Sequence, residues 1–205
     1  MRPLRRRHVT LVAGVGDART GVVVFEAKDP GKAVDEAIVG NKPAPYGAVL
    51  WDAAVDVARV LFDVDFTGRR VFEIGAGCGL CGIVAATKGA DVVCSDVDED
   101  VFAAIDAGAA EQGVSARVHT ARFDVCDRAP LPDADVVIIA DLLYEPLLAA
   151  AVARRVIEAR ARGSVVVVGD PDRAGRVAFL KLVNDAGLGV AFTGNVAVVG
   201  DLACR

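Results

Sequence analysis

The stretch Val71-Phe72-Glu73-Ile74-Gly75-Ala76-Gly77-Cys78-Gly79-Leu80 is an apolar run that breaks into glycines at alternate positions and then resumes as Leu80-Cys81-Gly82-Ile83-Val84-Ala85-Ala86. A strand that gives way to a glycine turn and then to a helix is the opening unit of an open α/β sheet. Its loop falls at the carboxyl end of the first strand, where such sheets bind ligands. Glycines there let the backbone approach a ligand closely and adopt positive φ.

Outward from this unit the same alternation repeats. Strands are expected at Arg70 to Ile74, Asp91 to Ser95, Ala116 to Thr120, Val136 to Ala140 and Val165 to Gly169. Helices are expected near Leu80 to Lys88, Glu99 to Glu111, Pro146 to Ala161 and Ala174 to Ala186. Strands alternating with helices imply an α/β fold with a doubly wound, Rossmann-like parallel sheet. At the end the alternation stops: Gly189 to Thr193 and Val196 to Val199 read as an antiparallel hairpin turning at Gly194-Asn195.

Upstream, apolar residues recur at helical spacing from Val49 to Phe62, so a helix leads into the glycine unit. Before it, Lys28 to Tyr46 is punctuated by Pro and Gly and reads as a crossing loop with a helical turn near Ala33 to Ile38. The runs His8 to Gly16 and Gly21 to Glu26 are expected to pair as an N-terminal β-hairpin. Residues 1–46 are thus an extension packed on the same domain, and residues 47–205 form the main domain.

Composition agrees with this reading and excludes others. In 205 residues, 54% are hydrophobic and only 5% aromatic, as suits short buried strands under Ala-rich helices. The longest apolar runs fall well short of the roughly 20 residues that span a bilayer, so no membrane role is expected. A net charge of −5, with acids crowded between Asp91 and Asp106, argues against a nucleic-acid surface and for a cationic partner. Five cysteines without a paired framework suit a reducing, cytoplasmic setting, and Cys78 and Cys81 are read as small residues beneath a turn. The cluster Arg2, Arg5, Arg6 and Arg7 has no apolar segment behind it and is read as a solvated tail, with organelle targeting as the alternative. No metal is expected, and the chain is read as a monomer.

Which cofactor the glycine turn takes is decided by its neighbours. Leu80 stands where the dinucleotide fingerprint wants its last glycine, which fits a pyrophosphate poorly. Glu73 places a carboxylate near the loop, awkward beside phosphate but favourable beside a sulfonium or ammonium cation. Asp96 ends the second strand, where a carboxylate can accept both ribose hydroxyls, a device that nicotinamide folds share. Asp98 competes for that contact, or serves as a helix N-terminal carboxylate. Phe123 and Asp124 follow the third strand and suit an adenine base, by stacking and by accepting from its amine; an ordinary core Phe and turn Asp read equally. Asp141-Leu142-Leu143-Tyr144-Glu145-Pro146 follows the fourth strand, putting a carboxylate and a phenol at the mouth of the sheet. A helix cap by Asp141 with a packing Tyr is the simpler alternative.

Taken together, Gly47-Ala48-Val49-Leu50-Trp51-Asp52-Ala53-Ala54, the Glu73 to Gly82 glycine motif, Asp96, and Asp141-Leu142-Leu143-Tyr144 resemble the methyltransferase-16 group of protein lysine methyltransferases, which are class I seven-strand enzymes. The resemblance runs from about Gly47 to Phe179. It implies S-adenosylmethionine as cofactor, leaving as S-adenosylhomocysteine, with contacts at Trp51, Gly75, Ala76, Gly77, Asp96, Phe123 and Ala140, while Gly79 belongs to the site from the reading of the glycine turn. Glu73 and Asp124 join that set from the residue reading. Asp141 and Tyr144 are implied to frame the target amine of a protein lysine. The family commonly has Trp where this chain has Phe123. Gly169-Asp170-Pro171-Asp172-Arg173 looks like the branch that methylates electron-transfer flavoprotein, whereas the Trp51 segment looks like the cytosolic branch. Alternatives are N-methylation of a small nicotinamide-like amine, a cofactor-binding module without catalysis, and a nucleotide-dependent oxidoreductase.

Overall fold

The computed structural model describes residues 3–12, 19–29 and 46–202, together with 31, 32, 35 and 39. The helical turn expected near Ala33 to Ile38 lies outside the described residues except for Asp35. Strands β1 (Leu4–Val12) and β2 (Arg19–Ala27) pair antiparallel, with Val9 opposite Val22. Helix α1 (Asp52–Phe62) leads to β3 (Arg70–Ile74), α2 (Leu80–Thr87), β4 (Asp91–Asp96), α3 (Phe102–Glu111) and β5 (Val118–Arg122). Then follow β6 (Val136–Ala140), α4 (Pro146–Ala161), β7 (Val165–Gly169), α5 (Arg176–Asp185) and β8 (Val196–Val199).

Six strands form the main sheet in the order β5-β4-β3-β6-β7-β8, all parallel except β8, which runs antiparallel to β7. After β5 the chain returns across β3 to lay down β6, so the order reverses between β3 and β6. That reversal opens a crevice at the carboxyl ends of β3, β4 and β6.

Why the central strands are apolar on both sides is plain from their neighbours. In β6, Val136 and Ile138 face the layer made by α1, α2 and the hairpin, while Val137 and Ile139 face α4 and α5. All four are buried, and each such side chain contributes roughly 1.5–3 kcal/mol relative to exposure. Pro146 opens α4 at a position where its missing N–H costs nothing.

Two expectations are corrected. Gly189 to Thr193 does not form a strand: only Thr193 bridges to Val196. Asn184, at the end of α5, takes the polar groups of Val190 with its amide, donating to the carbonyl at 3.1 Å and accepting from the N–H at 2.6 Å. With Gly187 and Gly189 both at positive φ, the backbone there cannot run straight, and among the described residues the main sheet has six strands where the resemblance implies seven.

Of the four arginines at the start, Arg2 lies outside the described residues, and the other three are not a solvated tail. Arg5, Arg6 and Arg7 lie in β1, where Arg5 and Arg7 bind the buried Glu26 and Arg6 pairs with Glu111. Val9, Leu11, Val22 and Val24 of the hairpin join one core with α1 and α2. Glu26 then reaches further, accepting from the N–H of Leu50 at 3.1 Å. Burial pushes its carboxyl up, but Leu50, Arg5 and Arg7 together hold it below the usual range. The segment before Trp51 is therefore pinned by the hairpin, and α1 starts at Asp52 rather than Val49.

Candidate active site

The turn after β3 is shaped by close passages. Gly75 has φ +67, and a Cβ there would come within 2.6 Å of Leu142 Cδ1, so the loop after β6 lies directly against the glycine turn. Gly77 has φ +52, and its Cβ would stand 3.0 Å from the carbonyl oxygen of Gly47. Gly47 itself passes over Val101 and Asp96, where an added Cβ would stand 3.0 Å from Val101 Cγ1 and 3.4 Å from Asp96 Oδ2. Its role in closing the site was missed in the sequence, because a glycine in a Pro/Gly-rich loop carries no signal of what crosses above it.

Asp96 is buried at the end of β4, and its carboxylate accepts the N–H of Gly77 and of Asp98, each at 3.0 Å. A carboxylate has about four lone-pair sites. Two remain for a diol. Burial pushes its pKa up, opposed by the N–H groups of Asp98 and Gly77. Asp98 takes the capping role: its side chain accepts from Asp100 N–H at the turn Glu99–Val101.

Glu73 lines the cavity, but its carboxylate is turned toward α2, accepting from Gly82 N–H at 2.9 Å and from the Cys94 thiol at 3.4 Å. Burial pushes it up to about 7. Cys78 and Cys81 are buried nearby, and burial drives both thiols well above their ordinary range, to about 12 for Cys78, which suits packing rather than redox or metal chemistry. Between pH 4.5, the unfolded value, and about 7, the folded chain holds the extra Glu73 proton, so stability declines as pH rises through that window. Glu73→Gln is expected to remove a decline of roughly 2 kcal/mol, seen as a smaller difference between urea unfolding free energies at pH 5 and pH 8 than the wild type gives.

Phe123 is half-buried, edge-on to Phe72 with centroids 5.3 Å apart, and faces the cavity. Asp124 closes a turn by accepting from Cys126 N–H at 2.8 Å. Behind them lies a residue that the sequence reading passed over. Arg155, on α4 and 1% exposed, donates to the carbonyls of Val125, Asp127 and Ala129 and stacks over the Phe123 ring at 4.9 Å. In sequence it sits in a charged helical run and looks like a solvated face.

Asp141 is not a helix cap, since Glu145 precedes α4. It is 8% exposed, adopts φ 58, and accepts from Arg173 Nε at 2.8 Å through Oδ1. Its Oδ2 is buried without a partner. Tyr144 is partly exposed and stands 6.2 Å from Tyr46, which is 6.4 Å from Trp51. The Trp51 indole N–H donates to the Tyr46 carbonyl at 2.9 Å, and the Arg173 guanidinium lies 5.3 Å from the Trp51 ring. Burial raises the Tyr144 phenol, helped by Glu145.

These residues line one cavity of about 900 Å³. Gly75, Ala76, Gly77, Asp96, Phe123, Asp124, Ala140, Asp141, Tyr144 and Trp51 are all brought to it, whereas Gly79 lies beyond its wall, as the residue before α2.

The family described as lysine methyltransferase matches residues 37–184. Protein N-lysine methyltransferase METTL21A of Danio rerio is 55% identical over 51 residues, 24% of this chain and 23% of that protein. EEF1A lysine methyltransferase 3 of Mus musculus is 32% identical over 106 residues, covering 47% and 44%. The electron transfer flavoprotein beta subunit lysine methyltransferase of Danio rerio is 27% identical over 148 residues, covering 64% and 52%. The chain thus spans at most about half the length of these curated relatives. In fold, it is similar to a solved O-methyltransferase-like protein of Nostoc punctiforme, with TM-score 0.60 at 17% identity over 83% of this chain and 67% of that one.

Proposed function

Because the chain belongs to the lysine methyltransferase family, we propose that it transfers a methyl group from S-adenosylmethionine to the ε-amine of a lysine in a protein substrate. The observation that carries this reading is Asp141 Oδ2, a buried oxygen without a partner, in the same cavity as the glycine turn and Asp96. An orphaned buried carboxylate oxygen costs stability unless a donor arrives.

The residues fit the cofactor. Asp96 has two acceptor sites left for the ribose, Phe123 offers an aromatic ring for the base, and Gly75 and Gly77 bring the turn's backbone to the cavity wall. When bound, the cofactor supplies a methyl group on a sulfonium that is its own leaving group. The protein's share is alignment and exclusion of water. Asp141 orients the amine and balances charge as the methylated ammonium forms, and Tyr144 walls the slot with an aromatic face. At the mouth, exposed Tyr46, Tyr144 and Leu147 beside Asp98, Asp100 and Glu145 suit a lysine presented on a protein surface. The thiols at Cys78, Cys81 and Cys94, free within the chain, favour a reducing, cytoplasmic setting.

Incubation with tritiated cofactor and a cell lysate tests the assignment. Label in a protein band that hydrolyses to methyl-lysine is the expected result. Label confined to small molecules would point to a metabolite acceptor, and cofactor uptake without any transfer would point to a binding module. Asp96→Asn is expected to weaken S-adenosylhomocysteine binding by about 10- to 100-fold in calorimetry, from the loss of charge-assisted bonds to the ribose. An unchanged affinity would remove Asp96 from the site.

A further inference from the structure

Among the described residues, Arg173 is the one cation that lines the cavity; every other charged lining residue is a carboxylate. Its placement is built rather than incidental. Asp170, fully buried, accepts the Arg173 backbone N–H at 3.0 Å and Arg176 Nε at 2.7 Å, so the loop between β7 and α5 is held in one shape. The same loop is tied to the one carrying Asp141, since Asp141 N–H donates to the Gly169 carbonyl and Gly175 N–H to the Leu143 carbonyl, both at 2.9 Å. The guanidinium takes Oδ1 of Asp141 and leaves Oδ2 without a partner. The Gly169 to Arg173 motif therefore delivers a positive charge to the acceptor end of the site.

Methyl transfer needs the lone pair of the lysine nitrogen. The N–C bond forms with that pair as the C–S bond breaks, its electrons go to sulfur, and one proton leaves the new methylammonium for solvent. An ammonium has no lone pair to give. A carboxylate in a half-buried slot favours the ammonium, and a nearby like charge disfavours it. The charged groups that line the cavity around Arg173 and Asp141 are otherwise acidic, Asp96 from β4 and Glu145 before α4, beside the Tyr46 and Tyr144 phenols and the Cys126 thiol; behind that wall Asp52 and Asp170 act on the Arg173 charge, and Arg176 is taken up by Asp170 and Asp172. Asp141 holds the Arg173 guanidinium still more firmly in its charged form.

We propose that Arg173 is a positioning residue that offsets the charge of Asp141 at the acceptor slot, so that the substrate lysine sits there as the neutral amine. This rests on the lysine-methylation reading above. The test follows transfer from tritiated S-adenosylmethionine to the lysate protein that the wild-type chain labels, between pH 6 and 9.5, for Arg173→Gln and Arg173→Lys. For Arg173→Gln, kcat is expected to fall about tenfold at pH 7 with KM little changed, and to recover at high pH as the rising limb moves up by about one unit. Arg173→Lys keeps the charge and is expected to restore the wild-type profile. A loss in Arg173→Gln that is equal at every pH, an unmoved limb, or an Arg173→Lys that behaves like Arg173→Gln overturns the proposal alone. A wild-type chain that labels no protein overturns it together with the functional reading.

Discussion

Asp141→Asn is expected to lower methyl transfer by on the order of 10²- to 10³-fold, the scale on which one preorganised polar group at a reacting centre acts, while cofactor affinity stays at its wild-type value. Asn is the informative substitution because residue 141 sits at φ 58. Asn and Asp tolerate that left-handed conformation, whereas Ala adds a backbone cost of roughly 1–2 kcal/mol. Any loss in the Asn variant is therefore chemical. The amide keeps its one oxygen for Arg173 Nε and puts an NH2 donor where Oδ2, the oxygen left for the amine, had been. Single-turnover transfer measured beside calorimetric binding separates the two effects. Turnover within a few-fold of wild type would remove Asp141 from the chemistry.

Arg155→Met is expected to be the most destabilising single change in the site's support. The side chain is 1% exposed and donates to the carbonyls of Val125, Asp127 and Ala129 and to Glu158 at 2.8 Å. Val125 keeps Arg154 as a donor, and Glu158 keeps the Leu131 N–H and Arg162, but the Asp127 and Ala129 carbonyls lose theirs; two charge-assisted bonds lost cost roughly 3–5 kcal/mol. For a chain of this size that is a fall of about 10 °C in Tm. Arg155→Lys should recover little, since one ammonium cannot span acceptors that a planar fork reaches together. The Phe123 ring, on which the guanidinium stacks, should shift as well, so cofactor binding weakens at temperatures where the variant is still folded. Thermal melts followed by circular dichroism check this, and a Tm within about 2 °C of wild type would show the loop to be held by other contacts.

Local order was legible wherever the signal was local. The alternation of apolar runs with glycine turns placed β3, β6 and β7 to the residue, because strands buried on both faces are apolar throughout and end where glycine or Asp begins. Asp96 and Asp141 were readable because the first closes a strand and the second follows one directly. The sequence places Glu73 in its strand but does not tell which way its carboxylate turns. The period of two sends its side chain to the face that α2 covers, where Gly82 N–H and the Cys94 thiol wait. The terminal strand at Gly189 to Thr193 failed for a similar reason, since Asn184 in the preceding helix competes for the backbone of Val190.

What the chain's own order of residues determined is the fold class, the sequence of strands and helices, and the carboxylates that come to the mouth of the sheet. Burial on two faces and the need to turn tightly leave their mark on neighbouring residues, and neighbouring residues are what a sequence displays. Only the tertiary structure decided that Glu26 pins the segment before Trp51, that Arg155 carries the loop behind Phe123, and that Arg173 lies across Asp141. Each joins groups far apart in the chain, two of them side chain to backbone, and a charged residue in isolation looks the same whether its partner is water or a carbonyl in a distant loop.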